Sequence, residues 1–346
     1  MTLATGPRAA LTRLWWDRHF PGLAIAALAA LAAQFLSDHY GAPAMLMAIL
    51  IGMALHFLAE EARTSPGIDL AARVLLRVGV ALLGLRISAG MVMELGLPAL
   101  ALVMAGVALT IGFGILVARL SGQGGSFGFL TGGAVAICGA SAAMAIAAIL
   151  PRDGTRAEAA ERDLAFAVVG VTVLSTLAMI LYPILTARLG MDTRATGLFL
   201  GATIHDVAQV VGAGFSVDDP TGELATLVKL IRVTALAPVV VLAALVLRAQ
   251  GQAEGRRLPL IPGFVLAFLM LAAINSTGLL PAAVTDLATA LSRWALLTAI
   301  AAVGMKISLP RLMQVGRPAL ALILGETVFL AAIVLFGLQV LPHPAP

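Results

Sequence analysis

The chain contains little charge and a single cysteine. Charged residues make up 12% of its 346 residues, well below the roughly 25% of a soluble domain. Cys138 has no second cysteine with which to form a disulfide within the chain. The net charge of +4 includes no basic run or stripe, so nucleic acid is not indicated as a partner. These absences exclude an ordinary soluble domain and a disulfide-stapled fold.

Apolar residues dominate instead, at 60% of the chain and a mean hydropathy of +1.02. Nine runs, some with the help of their flanks, are long enough to cross the roughly 30 Å hydrocarbon core of a bilayer as helices. They are Phe20–Leu36, Ala42–Leu58, Val74–Ile87, Leu97–Val117, Leu164–Leu185, Leu224–Leu247, Ile261–Asn275, Trp294–Leu309 and Ala319–Val340. Two further segments, Phe127–Leu150 and Gly197–Phe215, are rich in glycine and interrupted by polar residues. We therefore predict one all-α polytopic membrane domain over residues 1–346, with about eleven membrane elements.

The distribution of lysine and arginine predicts how the domain is oriented. Basic residues occur before the first run, after the second run, within 248–257 and before the last run; they include Arg8, Arg13, Arg18, Arg63, Arg73, Arg311 and Arg317. Ser37–Gly41, Ser216–Glu223 and Thr277–Thr289 contain neither residue type. The positive-inside rule then places the N-terminus in the cytoplasm, with Trp15 and Trp16 at the interface.

The chain carries an internal duplication. Residues 73–88, RVLLRVGVALLGLRIS, match residues 293–308, RWALLTAIAAVGMKIS, and the same gapless offset pairs GLPALAL at 96–102 with GRPALAL at 316–322. The flanking arginines give the two copies opposite orientations. Inverted repeats are typical of secondary transporters, whose substrate site lies near the midplane between repeats. We place repeat one at about 20–150 and repeat two at about 197–340.

The first interrupted segment, FGFLTGGAVAICGASAAMAIAAIL at 127–150, predicts a broken helix. Its glycines each lower helix propensity by about 1 kcal/mol relative to alanine. A break near Ile137–Ser141 would expose a half-helix N-terminus, which binds anions. Tight packing through small residues is the alternative. Arginines on both flanks, Arg119 before and Arg152, Arg156 and Arg162 after, favour a hairpin that re-enters from the cytoplasm, with Gly197–Phe215 as the matching element from outside. Whether the two segments re-enter or span the membrane stays open.

The second interrupted segment contains GATIHDVAQVVGAG at 201–214. In a continuous helix, His205 and Gln209 would share a face, with Asp206 about 100° away. Ionisable groups at membrane depth usually mark an ion or substrate path, and histidine titrates near physiological pH. We predict His205 and Asp206 as the groups that couple H⁺ or Na⁺. A water-exposed helix end is the alternative.

Basic residues inside the apolar runs point to an anionic substrate. Lys229 and Arg232 share a helix face, and Arg86 and Lys306 occupy matching repeat positions. Arginine forks suit oxyanions such as sulfate, carboxylate or phosphate. The predicted substrate-binding set is Thr131, Cys138, Gly139, Ser141, Gln209, Lys229 and Arg232. Arg86, Lys306 and the buried acid Glu326 are further candidates, although Arg86 and Lys306 could equally extend to opposite membrane faces.

At TGGAVAICGASAAMA, GATIHDVAQVVGAG, VKLIRVTALAPVV and the GLRIS/GMKIS pair, the chain resembles the YeiH-type family of bacterial inner-membrane proteins. The resemblance extends from about the second span to the last. It implies a secondary transporter that exports sulfate or a related sulfur oxyanion, in some settings alongside the breakdown of organosulfonates. Where many members of that family have glutamate after the motif histidine, this chain has Asp206.

Two other functions remain open at this point. One is H⁺- or Na⁺-coupled transport of a carboxylate or bicarbonate. The other is an intramembrane hydrolase that uses Cys138 or Ser141 with His205, which would require the nucleophile and base to lie within hydrogen-bond reach. We predict no enzymatic activity, no catalytic residue, no metal and no cofactor. The expected partners are a small anion and the lipid bilayer; a homodimer is compatible with the sequence but not required by it.

Overall fold

The computed structural model describes residues 7–87, 89–150, 157–249, 263–307 and 317–340. Several predictions lie wholly or partly outside the described residues. They are the matched pair Ser88 and Ser308, the basic residues Arg152, Arg156, Arg256, Arg257 and Arg311, the start of the Ile261 run and the end of the Trp294 run. The side chains of Arg8, Arg13 and Arg317 are also not described.

Every regular element in the described part of the chain is helical. The helices are α1 (Pro7–Tyr40), α2 (Ala44–Ala54), α3 (Phe57–Glu60), α4 (Ser65–Leu70), α5 (Leu76–Leu83), α6 (Ala89–Leu120), α7 (Gly125–Gly133), α8 (Ala140–Ala147), α9 (Ala157–Arg188), α10 (Thr193–Thr203), α11 (Val207–Val217), α12 (Asp219–Thr234), α13 (Leu236–Ala249), α14 (Gly263–Ser276), α15 (Ala282–Met305) and α16 (Arg317–Val340). A π-helical turn, Ala71–Leu75, joins α4 to α5, and another, Ala134–Cys138, extends α7.

Six of these helical stretches are long and apolar enough to cross a membrane. They are Trp15–Tyr40, Leu95–Leu120, Arg162–Arg188, Asp219–Ala249, Ala282–Met305 and Leu320–Val340. Shorter apolar helices accompany them. The predicted all-α polytopic membrane fold is therefore confirmed. The predicted start of the Trp294 run is wrong, because α15 begins at Ala282. Its first turns carry Thr285 and the exposed Asp286, and these polar residues give the helix start the composition of a loop.

The two copies of the duplicated segment run antiparallel. Asp69, just before the first copy, forms an ion pair with Lys306 at the end of the second. Further along the first copy, the backbone oxygen of Gly79 accepts a hydrogen bond of 2.7 Å from Ser292 Oγ. The partner therefore moves back along α15 as the chain advances along α5. This is the opposite orientation that the flanking arginines predict.

The helices that follow each copy, α6 and α16, are antiparallel as well. Phe113 stacks on Phe329 with ring centroids 4.2 Å apart, and the side chain of Leu102 lies against Gly337. Two further contacts reveal the symmetry. Gly114 lies against Glu326, while Gly106 lies against Val334.

The two copies are offset by 293 − 73 = 220 residues. By this offset Gly114 is equivalent to Val334, and Gly106 is equivalent to Glu326. The contact between Gly114 and Glu326 therefore has a repeat-related counterpart between Val334 and Gly106. The duplicated segments are therefore related by a pseudo-two-fold axis, as inverted repeats require.

Both interrupted segments are re-entrant helical hairpins, which settles the choice that the sequence left open. In hairpin one (residues 125–147) the chain reverses at Gly139, whose φ of 60° lies in a region that favours glycine. Gly133 consequently lies against Ile146. Thirteen residues of straight helix would separate these two by about 20 Å.

Hairpin two (residues 193–217) reverses at the short non-helical link between α10 and α11. Along α10, Gly197 and Gly201 face Leu224 and Val228 of α12 in parallel order. In contrast, Gly214 near the end of α11 faces Gly222 near the start of α12. The chain therefore enters along α10, returns along α11 and enters again along α12.

The two hairpins enter from opposite ends of the bundle. Gly128 of hairpin one packs against Ala118 near the end of α6. Arg194 at the base of hairpin two donates a hydrogen bond to Leu95 O near the start of α6. We call the first end the Lys306 face and the second the Arg86 face, after the residues that lie there.

The helices form two packed groups. The panel comprises α1, α2, α4, α5, α14 and α15, and the core comprises α6 to α12 with α16. Hairpin two contacts the panel through α11, which packs against α2 and α15. The hairpin tips therefore face the boundary between panel and core, where the candidate site lies.

Candidate functional site at the hairpin tips

Arg232 on α12 binds the main chain of both hairpin tips. It is fully buried, and its Nε and Nη atoms donate five hydrogen bonds of 2.7 to 3.1 Å. The acceptors are the carbonyl oxygens of Val135 and Ala136 in hairpin one and of Gly201 and Ile204 in hairpin two. A guanidinium has five N–H donors, so none remains for a substrate in this conformation.

Lys229, one turn earlier on α12, makes the same kind of contact. Its ammonium is fully buried and donates to Ile137 O at 2.7 Å, to Ile204 O at 3.0 Å and to His205 O. These three bonds use all its donors. The acceptors are carbonyls at or beside the ends of two half-helices, which a continuous helix would satisfy internally. Lys229 and Arg232 therefore satisfy the backbone at both breaks, and direct binding of substrate by them stays a prediction.

His205 lies in the tip of hairpin two but faces away from the panel. Its Nδ1 lies 3.1 Å from Val135 O and its Nε2 lies 3.0 Å from Thr327 Oγ1 on α16. Because a carbonyl only accepts, Nδ1 must carry a hydrogen. The ring therefore joins both hairpins to α16. The structure does not bring this imidazole to Cys138 or Ser141, the arrangement that the hydrolase alternative needs.

The placement of His205 and Gln209 on one helix face is wrong. The helix is interrupted at Ile204–Asp206, and Asp206 is the N-cap of α11, with Oδ1 accepting a hydrogen bond of 2.9 Å from Val207 N. His205 is outside α11, whereas Gln209 is inside it and buried. Because the helix is broken here, His205 faces hairpin one and α16, whereas Asp206 faces a cavity on the panel side.

A cavity of about 120 Å³ lies between these tips and the panel, and we call it the tip cavity. Its core wall includes Cys138 and Ser141 of hairpin one and Asp206 of hairpin two. Gly139 is beside it, with the Asp206 side chain 3.6 Å from the position a Cβ would take. The N-termini of α8 and α11 thus meet here, and helix N-termini favour anions. Three predicted site residues are therefore in one cavity, next to a fourth.

The panel wall of the tip cavity contributes Arg73 and Arg77. Arg77 is eight residues after Asp69 and nine before Arg86, so it lies about 12 Å from either face. At that depth a guanidinium needs water or an anion. Neither arginine forms an ion pair with another described residue. The cavity therefore has two cations against one carboxylate.

Sequence reasoning missed Arg77 as a site residue and used Arg73 only to predict orientation. The apolar run was predicted to begin at Val74, which placed both arginines close to a membrane surface. The helical segment actually begins at Ser65, so Arg77 lies in the middle of the span. The repeat pattern offered one signal: position 77 matches Leu297, and a charge that breaks a repeat match calls for an explanation.

The remaining predicted residues lie outside the tip cavity. Arg86 forms ion pairs with Asp219, at 3.2 Å, and with Glu223 at the Arg86 face. Lys306 pairs with Asp69 at the opposite face. The two repeat-related cations are thus at opposite ends of the panel, each with a carboxylate partner.

Residues 21–323 match the family model described as Conserved hypothetical protein 698. The chain belongs to this family. It is 63% identical over 326 residues to the UPF0324 membrane protein TauZ of Paracoccus denitrificans, covering 93% of this chain and 95% of the relative.

Two further relatives of this member of the Conserved hypothetical protein 698 family are similar along nearly their whole length. A UPF0324 membrane protein of Rhizobium meliloti is 59% identical over 326 residues, covering 93% of each chain. One of Chlorobaculum tepidum is 50% identical over 326 residues, covering 93% of this chain and 90% of the relative. The resemblance to the YeiH-type family is confirmed. The matched region contains both hairpins, Lys229 and Arg232 and ends just before Glu326.

In this family member, Glu326 is a fully buried acid on α16. Its Oε1 lies 2.7 Å from Thr131 Oγ1 of hairpin one, and its Oε2 has no hydrogen-bond partner among the described residues. Thr131 also lies 3.1 Å from Phe127 O. A neutral carboxyl can donate to the Thr131 hydroxyl, which donates onward to that carbonyl. A bare buried carboxylate would cost several kcal/mol.

We therefore expect Glu326→Gln to fold with a thermal midpoint close to that of the parent, because an uncharged amide fills the same space. Glu326→Lys should lower the midpoint strongly, since the neighbouring Gly114 leaves no room and offers no counter-charge. Thermal denaturation of the purified variants in detergent measures both. A large fall for Glu326→Gln would show that the negative charge itself stabilises the fold.

Proposed function

We propose that this protein is a secondary transporter that carries a small oxyanion, sulfate or a related sulfur oxyanion, across the membrane by alternating access. The observation that carries the proposal is the tip cavity. Two re-entrant hairpins from opposite faces end at this cavity, and Arg77 enters it at the middle of a span. Broken helices that meet near the midplane are typical of transporter substrate sites.

The chemistry of the cavity supports an anion. Two cations, Arg73 and Arg77, line the cavity with one carboxylate, Asp206. The N-termini of two helices also favour an anion there. An arginine fork can bind two oxygens of an oxyanion at once. Carboxylates and bicarbonate also present two oxygens to an arginine fork, so they are the competing substrates. We propose that Asp206 binds the coupling ion, H⁺ or Na⁺, because it is the acid that shares the cavity.

We further propose that the protein lies in the bacterial inner membrane with its Lys306 face in the cytoplasm. Arg18, Arg63 and Arg119 adjoin this face, as the positive-inside rule requires of cytoplasmic connections. The tip cavity borders Arg73 on this half of the panel. The described conformation would then open its site toward the cytoplasm, ready to accept an anion for export.

Labelled sulfate flux into proteoliposomes, with and without a pH gradient, tests the function. We expect sulfate flux in the parent, a rate that responds to the gradient, and loss of that response in Asp206→Asn. Sulfite, bicarbonate and small carboxylates, added as unlabelled competitors, identify the preferred anion. Folded protein that moves none of these anions would contradict the proposal, and a gradient response in Asp206→Asn would remove Asp206 from coupling.

A further inference from the structure

A second cavity, of about 280 Å³, lies at the Arg86 face. It is bounded by the panel and by the base of hairpin two, around Phe215–Val217. We call it the Arg293 cavity after the cation on its panel wall. Neither the sequence predictions nor the tip cavity accounts for it.

The two cavities use the same panel positions of the two repeats. Four panel residues of the tip cavity are Ala72, Arg73, Leu76 and Arg77. Adding the offset of 220 gives Ser292, Arg293, Leu296 and Leu297, and all four line the Arg293 cavity. Since the copies run antiparallel, equivalent positions face opposite sides of the membrane. The pseudo-two-fold axis therefore relates the panel walls of the two cavities.

The charges match as well. The Arg293 cavity is lined by Arg86, Arg293 and Asp219, two cations and one carboxylate. The tip cavity has the same balance in Arg73, Arg77 and Asp206. The two differ in depth: the tip cavity reaches the hairpin tips, whereas the Arg293 cavity ends at the base of hairpin two.

The ion pairs of Arg86 lie beside the Arg293 cavity. Arg86 belongs to the panel, and Asp219 and Glu223 begin α12 of the core. These pairs join panel to core at the Arg86 face, while the described panel and core residues form no ion pair across the tip cavity. In the described conformation these ion pairs therefore hold panel and core together beside the Arg293 cavity.

We propose that the Arg293 cavity is the opposite-facing counterpart of the tip cavity, a vestibule that binds the same small oxyanion when the Arg86 ion pairs open. This rests on the proposed transport function. It assigns Arg293 the role on one face that Arg73 has on the other. Opening of one vestibule then accompanies closing of the other, because both lie between the same panel and the same core.

Leucines at equivalent positions provide a matched pair of probes. Leu76→Cys reports on the tip cavity and Leu296→Cys on the Arg293 cavity, each in a Cys138→Ala background. The proteins are placed in lipid nanodiscs, so that a membrane-impermeant maleimide reaches both faces. Labelling rates are compared with and without Asp219→Asn and Glu223→Gln, which together remove the partners of Arg86.

Removing both partners should speed labelling at Leu296→Cys about five-fold and slow labelling at Leu76→Cys, the scale on which partly exposed ion pairs shift an equilibrium. Sulfate should slow labelling at Leu76→Cys in the parent and at Leu296→Cys in the opened variant. Rates that change in the same direction, or not at all, would overturn the proposal. Arg86→Gln opens the same pairs if the double variant does not fold.

The labelling measured with sulfate distinguishes the proposed second vestibule from the proposed transport function. Protection at Leu76→Cys without protection at Leu296→Cys in the opened variant would overturn the second vestibule and leave transport through the tip cavity intact. Protection at neither position, by sulfate, sulfite or a small carboxylate, would contradict the proposed function itself.

Discussion

Arg232→Gln is expected to destabilise the protein more than any change in the tip cavity. The substitution removes five hydrogen bonds from four buried carbonyls. Val135 O and Ile204 O keep donors from His205 and Lys229, whereas Ala136 O and Gly201 O lose their side-chain donor. Each buried acceptor left without a donor costs about 1–3 kcal/mol, so the loss should be about 2–6 kcal/mol. The thermal midpoint in detergent should fall by on the order of 10 °C.

Two comparisons make this result specific. Lys229→Gln should act in the same direction, because its ammonium satisfies three carbonyls of the same tips. Arg188→Gln, at the exposed end of α9, should leave the midpoint unchanged. If Arg232→Gln kept the parent midpoint and lost only transport, the hydrogen bonds would be dispensable and direct anion binding by Arg232 would be the better account.

Arg77→Gln is expected to have the opposite profile, with intact folding and little transport. Arg77 has no ion pair among the described residues, so its replacement leaves no partner unsatisfied. If its fork binds the anion, flux should fall at least about tenfold, the effect of losing one charge-assisted hydrogen bond. Arg77→Lys should recover part of the flux, because it keeps the charge but not the planar fork.

Initial flux rates of labelled sulfate in proteoliposomes measure this prediction, with protein amount matched by quantitative gel analysis. Arg188→Gln again serves as the control for removing an exposed arginine. Normal flux in Arg77→Gln would separate the tip cavity from the substrate path. A strong fall in the thermal midpoint would instead give Arg77 a structural role.

Much of the architecture follows from the sequence. Long apolar runs identify the spans, the 220-residue offset identifies the repeat, and arginine bias gives its inversion. Glycines in 127–150 and 197–215 identify both breaks, because helix propensity is a local property. The arginines on both flanks of the first segment favour re-entry but do not decide it, since re-entry depends on how α8 packs back on α7 and α11 on α12. The glycine spacing of both segments is equally compatible with a kinked helix that crosses the membrane.

The sequence predicted several residues of the site, but it did not predict what Lys229 and Arg232 do there. Cys138, Ser141 and Asp206 do share a cavity. From the sequence, Lys229 and Arg232 look like anion ligands, because buried cations need partners and the apolar runs contain more basic groups than acids. The structure supplies backbone carbonyls instead, and broken helices create such acceptors only in three dimensions. The sequence also did not show how deep Arg77 lies in the membrane, because that depth depends on where the helix starts.

The most direct test of the tip cavity as an anion site is substrate protection of one engineered thiol. Ser141→Cys in a Cys138→Ala background places this thiol at the exposed edge of hairpin one, within the tip cavity. The account predicts that sulfate or a competing oxyanion slows its reaction with a small maleimide, and that adding Arg77→Gln abolishes the protection. Labelling that stays unchanged by every anion the protein transports would contradict the account.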